Sequence, residues 1–169
     1  MGLTQSTSKN SEAVSVIDSG KIKGTVLFTQ KENYVRIKVD VKGLKHNHKH
    51  GFHIHESGDL REGCKSCCAH YNPTDAEHGD LQDENSHVGD LGNITTDENG
   101  NCGMSLKTDK FIVDDILGRS IIIHEDEDDL GKGEFEDSKT TGHSGARIAC
   151  SVIGISSEGF SPSRSLARK

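Results

Sequence analysis

Six histidines and one aspartate stand at spacings that few tasks other than metal binding require: His53, His55, His70, His78, His87, His124 and Asp90. Two of the histidines alternate along the apolar run Gly51-Phe52-His53-Ile54-His55-Glu56. In an extended strand alternate residues share a face, so these rings would sit about 7 Å apart and could grip one ion. An H-x-H pair alone is a weak signal, because most such pairs are ordinary surface or core histidines. The second cluster is stronger. His70, His78, His87 and Asp90 share one Gly/Asn/Asp-rich stretch, at intervals of eight, nine and three residues. Three imidazoles and a carboxylate complete a tetrahedral zinc shell, and a closed shell implies a structural rather than a catalytic ion. His124 ends the run Ile121-Ile122-Ile123. Neutral imidazole is the commonest metal ligand, and a mixed histidine and carboxylate set suits copper and zinc. The candidate ligands outnumber one tetrahedral site, which points to two metals or to two metals sharing a ligand. The bland reading is a His-rich polar loop. His46, His48 and His50 show that the chain does scatter histidines. Those three are read as solvated, with a secondary copper-loading site as the minor alternative.

The elements that must position these residues read as strands. Val35, Ile37, Val39 and Val41 alternate with Arg36, Lys38 and Asp40, the pattern of a sheet with one wet face. Further strand-like runs cover 13–17, 24–30, 50–56, 91–96, 102–108, 120–124 and 148–155. The Asn99-Gly100 step between two of them is a strong hairpin signal. Residues 57–90 and 125–145 show no periodicity. Loops that long are uncommon unless functional or disordered, and bound metal supplies order where a core is lacking. Eight short strands with turn signals predict an all-β, eight-stranded antiparallel barrel or sandwich with two long functional loops.

Length and composition fit one domain, expected over 12–155, between a disordered tail at 1–11 and a basic tail at 156–169. A net charge of −7 argues against a nucleic-acid partner, because phosphate binding needs a basic patch. No segment approaches the roughly 20 apolar residues that span a membrane. The polar start lacks the apolar core of a secretory signal, so a cytoplasmic location is expected. Met1-Gly2-Leu3-Thr4-Gln5-Ser6 matches an N-myristoylation pattern, but the pattern is short and a polar tail is the favoured reading. Five cysteines, Cys64, Cys67, Cys68, Cys102 and Cys150, leave at least one unpaired, and in the cytosol composition alone calls all of them reduced.

Taken in order, the strings GFHIHE (51–56), GC (63–64), HYNP (70–73), HVGDLGNITTD (87–97), GRSIIIHEDEDDLGKG (118–133) and GHSGARIACSVIGI (142–155) resemble the copper/zinc superoxide dismutases. The resemblance runs from about Glu12 to Ile155. It implies a Greek-key barrel. It also implies copper held by His53, His55, His70 and His124, and zinc held by His70, His78, His87 and Asp90, with His70 bridging as an imidazolate. The implied reaction turns superoxide into oxygen and hydrogen peroxide by alternate reduction and oxidation of copper, with His70 supplying one proton. By the same resemblance, Arg147 docks the superoxide anion and Thr141 narrows the channel opposite it. Asp128 orients His53 and His78, and Cys64 pairs with Cys150 in a disulfide. A homodimer is implied, and a copper chaperone is a further candidate partner.

Departures from the family pattern carry their own expectations. Cys67 and Cys68 stand where the family commonly has Gly-Pro ahead of the bridging histidine. They are read as extra free thiols that put disulfide shuffling at risk, with a thiophilic metal at Cys64-x-x-Cys67 as the alternative. Ser57 replaces an aromatic residue of the family's dimer contact, whereas Leu117, Gly118, Val152 and Ile155 still match it. Thr140 stands in place of a channel lysine among Asp126, Glu127, Glu134, Glu136 and Asp137, which predicts weaker steering than is usual. The alternative function is a non-catalytic copper- and zinc-binding or chaperone-sequestering homologue. Retention of every ligand, the arginine and the cysteine pair favours the enzyme.

Overall fold

The computed structural model describes residues 11–158. The N-myristoylation pattern at Gly2 and the basic run near the end of the chain lie outside the described residues.

Among the described residues nine strands form: β1 (Glu12–Ser19), β2 (Ile22–Gln30), β3 (Val35–Lys42), β4 (Lys49–His55), the short β5 (Arg61–Cys64), β6 (Asp90–Thr95), β7 (Cys102–Thr108), β8 (Ser120–His124) and β9 (Arg147–Ile155). Eight of them make one antiparallel sheet in the order β6-β4-β8-β9-β1-β2-β3-β7, a nearly closed all-β barrel as expected. β5 lies outside it, inside the first long loop, and is followed by a single 3-10 turn at Lys65–Cys67. Two one-turn helices, α1 (Val113–Ile116) and α2 (Ser138–Thr141), interrupt the later connections. The folded body holds Ser11 and Ser156 too. Gln30 N–H donates to Ser11 O at 2.9 Å, and Ser156 N–H donates to Glu12 O at 3.0 Å.

Strand burial shows how the barrel is used. β3 alternates buried and exposed without a break, so one face packs inward and the other meets water. β8 is buried at every position, and β4 at every position after Lys49. Phe52, Ile54, Ile121 and Ile123 point into the core cluster with Val26, Phe28, Ile37 and Ile153. His53, His55, Ile122 and His124 alternate with them, so they occupy the outer face, and that face must be covered. The two long loops cover it. Ile54 N–H donates to Gly89 O, Tyr71 N–H to Ile54 O and Glu125 N–H to Ala146 O, each at 2.8 Å.

The hairpin expected at Asn99-Gly100 is only half realised. The turn exists: Gly100, at φ 76°, donates to Asp97 O at 3.1 Å, and Asp97 donates to Asn101 O at 2.9 Å. The flanking strands part, however, β6 pairing with β4 and β7 with β3 at opposite ends of the sheet order. The neighbouring segment takes the bonds that a hairpin partner would have made. Leu44 N–H donates to Gly100 O at 3.1 Å and Thr96 N–H to His48 O at 2.9 Å.

Candidate metal centre

Strand register places the candidate ligands. His53 pairs across β4/β6 with Asp90, and His124 pairs across β8/β9 with Arg147. An isolated antiparallel bridge joins His55 to His70, bringing the first loop back over β4. Both ladders slip at the site, between Gly51 and His53 and between Ile123 and His124. Such bulges re-aim the side chains beside them.

Four imidazoles, His53, His55, His70 and His124, bring ligand nitrogens within 4.8 Å of one another, all of them buried. Their hydrogen bonds fix which nitrogen is free. A carbonyl can only accept, so His55 Nδ1–H donates to Cys68 O at 3.0 Å and His124 Nδ1–H to Gly145 O at 3.2 Å. His53 Nε2–H donates to the Asp128 carboxylate at 2.5 Å. That leaves His53 Nδ1, His55 Nε2 and His124 Nε2 as buried lone pairs with no partner. Buried nitrogens without partners are costly unless something binds them, and a metal ligand normally has its other N–H anchored in this way.

The second group closes on Asp90. Its Oδ1 lies 2.9 Å from His70 Nδ1 and 3.1 Å from both His78 Nδ1 and His87 Nδ1, while His70 Nδ1 and His87 Nδ1 are 3.3 Å apart. Zinc bonds of 2.0–2.1 Å at tetrahedral angles put donor atoms about 3.3 Å apart, so these four atoms fit one zinc ion. Asp90 Oδ2 is held away from them by the backbone N–H groups of Gly79 at 3.0 Å and His87 at 3.2 Å. His78 Nδ1 lies near Asp90 yet makes no hydrogen bond, as a ligand atom facing a shared centre would. His70 belongs to both groups. Its Nδ1 faces Asp90 and its ring stacks on His53, with centroids 4.0 Å apart.

Burial sets the electrostatics. Burial pushes His53, His55, His70 and His124 all down, His124 reaching about 4, although at His70 the Asp90 carboxylate works against it. They are neutral at neutral pH, the form that binds metal. Burial also lowers His78, but its hydrogen bond to Asp128 and the nearby Asp90 carboxylate outweigh it and raise it to about 9. Burial works against the Asp90 charge as well, yet bonds from His70 and His87 and the close approach of His78 hold the carboxyl far below its usual range.

Asp128 spans the two groups, accepting from His53 Nε2 at 2.5 Å and from His78 Nε2 at 2.8 Å. Two positions that sequence reasoning missed hold it there. Asn93 clamps its backbone, donating to Asp128 O at 2.9 Å and accepting from Asp128 N at 2.8 Å. Gly142, at φ +70°, leaves the necessary space, since a Cβ there would come within 2.1 Å of Asp128 Oδ1 and 2.4 Å of His78 Nε2. The sequence signal for Asn93 and Gly142 was membership of the matched strings HVGDLGNITTD and GHSGARIACSVIGI, which did not reveal their roles. Lys110 was missed too; its ammonium donates to Asp83 O at 2.6 Å and to Ser86 Oγ, tying the end of β7 to the loop of His78 and His87.

Arg147 Nη1 donates to Cys64 O at 2.8 Å, and Cys64 is bonded to Cys150, 86 residues away. Thr141 ends α2, exposed, with its hydroxyl on Asp137 Oδ2 at 3.0 Å. Cys67 is buried, Cys68 exposed and Cys102 buried, all three free. With Cys64 consumed in the disulfide, the thiophilic site imagined for Cys64 and Cys67 has lost one of its two sulfurs. The loop lysines are occupied: Lys132 lies 3.7 Å from Asp80 and Lys139 3.6 Å from Glu77. His50, read as solvated, is instead 1% exposed.

A Greek-key barrel with a histidine-carboxylate centre for two ions defines the class. The family model described as copper/zinc superoxide dismutase (SODC) matches residues 22–153. A "Superoxide dismutase [Cu-Zn]" of Candida albicans is 48% identical over 151 residues, 85% of this chain and 97% of its own. One of Paramecium bursaria Chlorella virus 1 is 47% identical over 88% of this chain and 80% of its own. An "Extracellular superoxide dismutase [Cu-Zn]" of Drosophila melanogaster is 49% identical over 82% and 78%. Among solved structures, the clock protein EA4 superposes with a TM-score of 0.84 at 39% identity, covering 91% of this chain and all of that one. The chain belongs to the copper/zinc superoxide dismutase family. Copper and zinc are its cofactors.

Proposed function

We propose that this chain dismutates superoxide with copper on His53, His55, His70 and His124 and zinc on His70, His78, His87 and Asp90. The observation that carries this reading is the convergence of His53, His55, His70 and His124, three of whose nitrogens are buried and partnerless, beside the His70, His78 and His87 nitrogens gathered on Asp90. Bound copper supplies one-electron oxidation and reduction of superoxide, and bound zinc, a filled-shell ion, supplies charge without redox chemistry. The protein's part is positional and protonic. Arg147, cross-strand from His124 and fixed on Cys64 O, is a permanent cation that docks the superoxide anion beside the copper ligands. Asp128 holds the His53 and His78 tautomers. His70 uses Nδ1 toward the zinc set, so its Nε2 is the atom left to release and recover the proton that peroxide formation needs. Thr141, at the end of α2, narrows the approach.

Purified protein assayed for copper, zinc and superoxide consumption tests the reading. His53→Ala and His124→Ala should each abolish turnover yet leave folded, zinc-bound protein, and near-normal rates in either would overturn the copper assignment. Arg147→Ala should lower kcat/KM roughly 10- to 100-fold with both metals retained, the value of a charge-assisted contact. Unchanged kinetics would remove its docking role. The non-catalytic alternative is disfavoured, since the relatives are named as dismutases.

A homodimer through β9 follows from the same reading. Val152 and Ile155 are 39% and 60% exposed there, and Gly118, beside Leu117, donates to Ile153 O at 2.9 Å. Light scattering of wild type against Val152→Lys tests it, a monomer in both arms refuting the dimer. Three free thiols support a reducing, cytoplasmic location, testable by fractionation. A copper chaperone stays a candidate partner, tested by whether loading in cells requires one.

A further inference from the structure

The chain has a second histidine cluster that the dismutase centre does not use. We propose that His46, His48 and His50 form an accessory copper(II) site at the mouth of the barrel, distinct from the buried centre.

His50 carries the inference. It is 1% exposed, and its Nδ1 lies 2.7 Å from His124 O. Because a carbonyl only accepts, Nδ1 bears the hydrogen and Nε2 presents a lone pair. That Nε2 is buried and has no partner. The same three features, an anchored Nδ1–H, a free Nε2 and deep burial, mark His55 and His124 in the main centre. His48 repeats one of them next door, since its Nε2 is also buried and partnerless. The His48 and His50 ring centroids are 4.8 Å apart, the same separation as His53 and His124 and within the 4.0–6.3 Å spread of that centre. Two imidazoles at that spacing can share one ion.

The third ligand is His46. It lines a 590 Å³ surface cavity together with His50, Lys45 and Glu125. No third ligand atom stands as close as those of the main centre, so the exposed His46 side chain must turn inward to complete the set. The backbone around it is already fixed. Thr96 Oγ1 donates to Lys45 O at 2.6 Å and accepts from His48 N at 3.0 Å, and Asn47 N–H donates to Asp97 O at 2.9 Å. Turning the exposed His46 side chain toward His48 and His50 would bring a third imidazole to the ion they share. Neutral imidazole sites favour copper(II) above the other divalent first-row ions, which sets the metal. Glu125 on the cavity wall offers an oxygen to a cation with an open position.

His50 stays in place in the test because its ring also supports His124. Protein already carrying full copper and zinc is titrated with copper(II) alone, with metal content and electron paramagnetic resonance recorded together. One further copper equivalent with nitrogen hyperfine structure is expected. His46→Ala and His48→Ala should each weaken that uptake tenfold or more, and the double variant should abolish it, while all keep the original metals and turnover. No extra equivalent in wild type, or an extra equivalent that survives in the double variant, overturns the proposal. Metal content before titration reports on the main centre separately, so failure of that reading would be seen as missing starting copper or zinc.

Discussion

Replacing Cys68 by glycine should make the protein more stable, although the change removes a side chain. Cys68 sits at φ 64° and ψ −154°. That region is essentially open to glycine alone, and a side chain held there costs about 1–3 kcal/mol. The conformation is retained because Cys68 O accepts the Nδ1–H of His55 at 3.0 Å and so aims a copper ligand. The thiol contributes little in return. It is exposed, and its one contact is a sulfur bond to Ser66 O at 3.8 Å. Glycine gives back about 0.4–1 kcal/mol through the greater freedom of the unfolded chain. The net gain is then about 1–2 kcal/mol, or a Tm rise of about 2–8 °C for a domain of this size. Calorimetry of metal-free, disulfide-intact protein reads it without metal linkage. Cys68→Ala is the control, because it removes the thiol but keeps the Cβ and the strain. A Tm for Cys68→Gly at or below that of Cys68→Ala would refute the strain argument.

Three further outcomes follow from the geometry. With Lys132 and Lys139 paired to Asp80 and Glu77, the dismutation rate should change little as salt rises from 10 to about 150 mM, and a steep fall would reveal an intact steering field. In the metal-free protein, burial drops His124 from 6.5 unfolded to about 4 folded. Between those values the unfolded chain binds more protons, so stability should fall as pH drops from 6.5 toward 4. His78 works in the opposite sense, because its folded value of about 9 makes its contribution full below 6.5 and lost as pH rises through 9. Urea midpoints should therefore peak near pH 6.5–7, and a flat acid limb would contradict the burial of these rings. Lys110→Met should loosen the loop of His78 and His87 and weaken zinc binding about 10-fold, read by chelator competition, with unchanged zinc affinity counting against the tether.

The strands of the barrel were legible because each buries one face, and period-two alternation is visible wherever the other face meets water, as in Val35–Val41. β8 reads as an apolar run, and β4 as apolar residues alternating with histidines, because loops bury their outer faces as well. The ligands were readable as a set because imidazoles and a carboxylate in two clusters have few other uses. What supports them was not. Asn93, Gly142 and Lys110 act through contacts 35, 14 and 24 residues away along the chain, and although Asn93 and Gly142 lie in matched strings, nothing local reveals what they support. His50 was misjudged because its neighbours His46 and Lys49 are exposed and polar, whereas its own position on β4 faces inward. The Asn99-Gly100 turn was read correctly as a turn and wrongly as a ladder, since local sequence sets the turn but long-range pairing chooses each strand's neighbour.

Three attachments from the five-residue segment 64–68 all lead to the copper side of the centre. Cys64 is bonded to Cys150 on β9, Cys64 O fixes Arg147, and Cys68 O fixes His55. The zinc side has its own tether in Lys110 through Ser86, while Asn93 steadies both sides through Asp128. Loss of the disulfide should therefore act unequally on the two metals. Cys150→Ser frees a loop of 86 residues, worth about 4–5 kcal/mol in chain-entropy terms, but the segment it frees orders copper ligands and the docking arginine. Copper affinity and kcat/KM should fall in the variant by at least ten times more than zinc affinity does, measured by chelator competition for each metal. A parallel loss of both would mean that the disulfide acts on the barrel as a whole, and that segment 64–68 has no selective hold on the copper side.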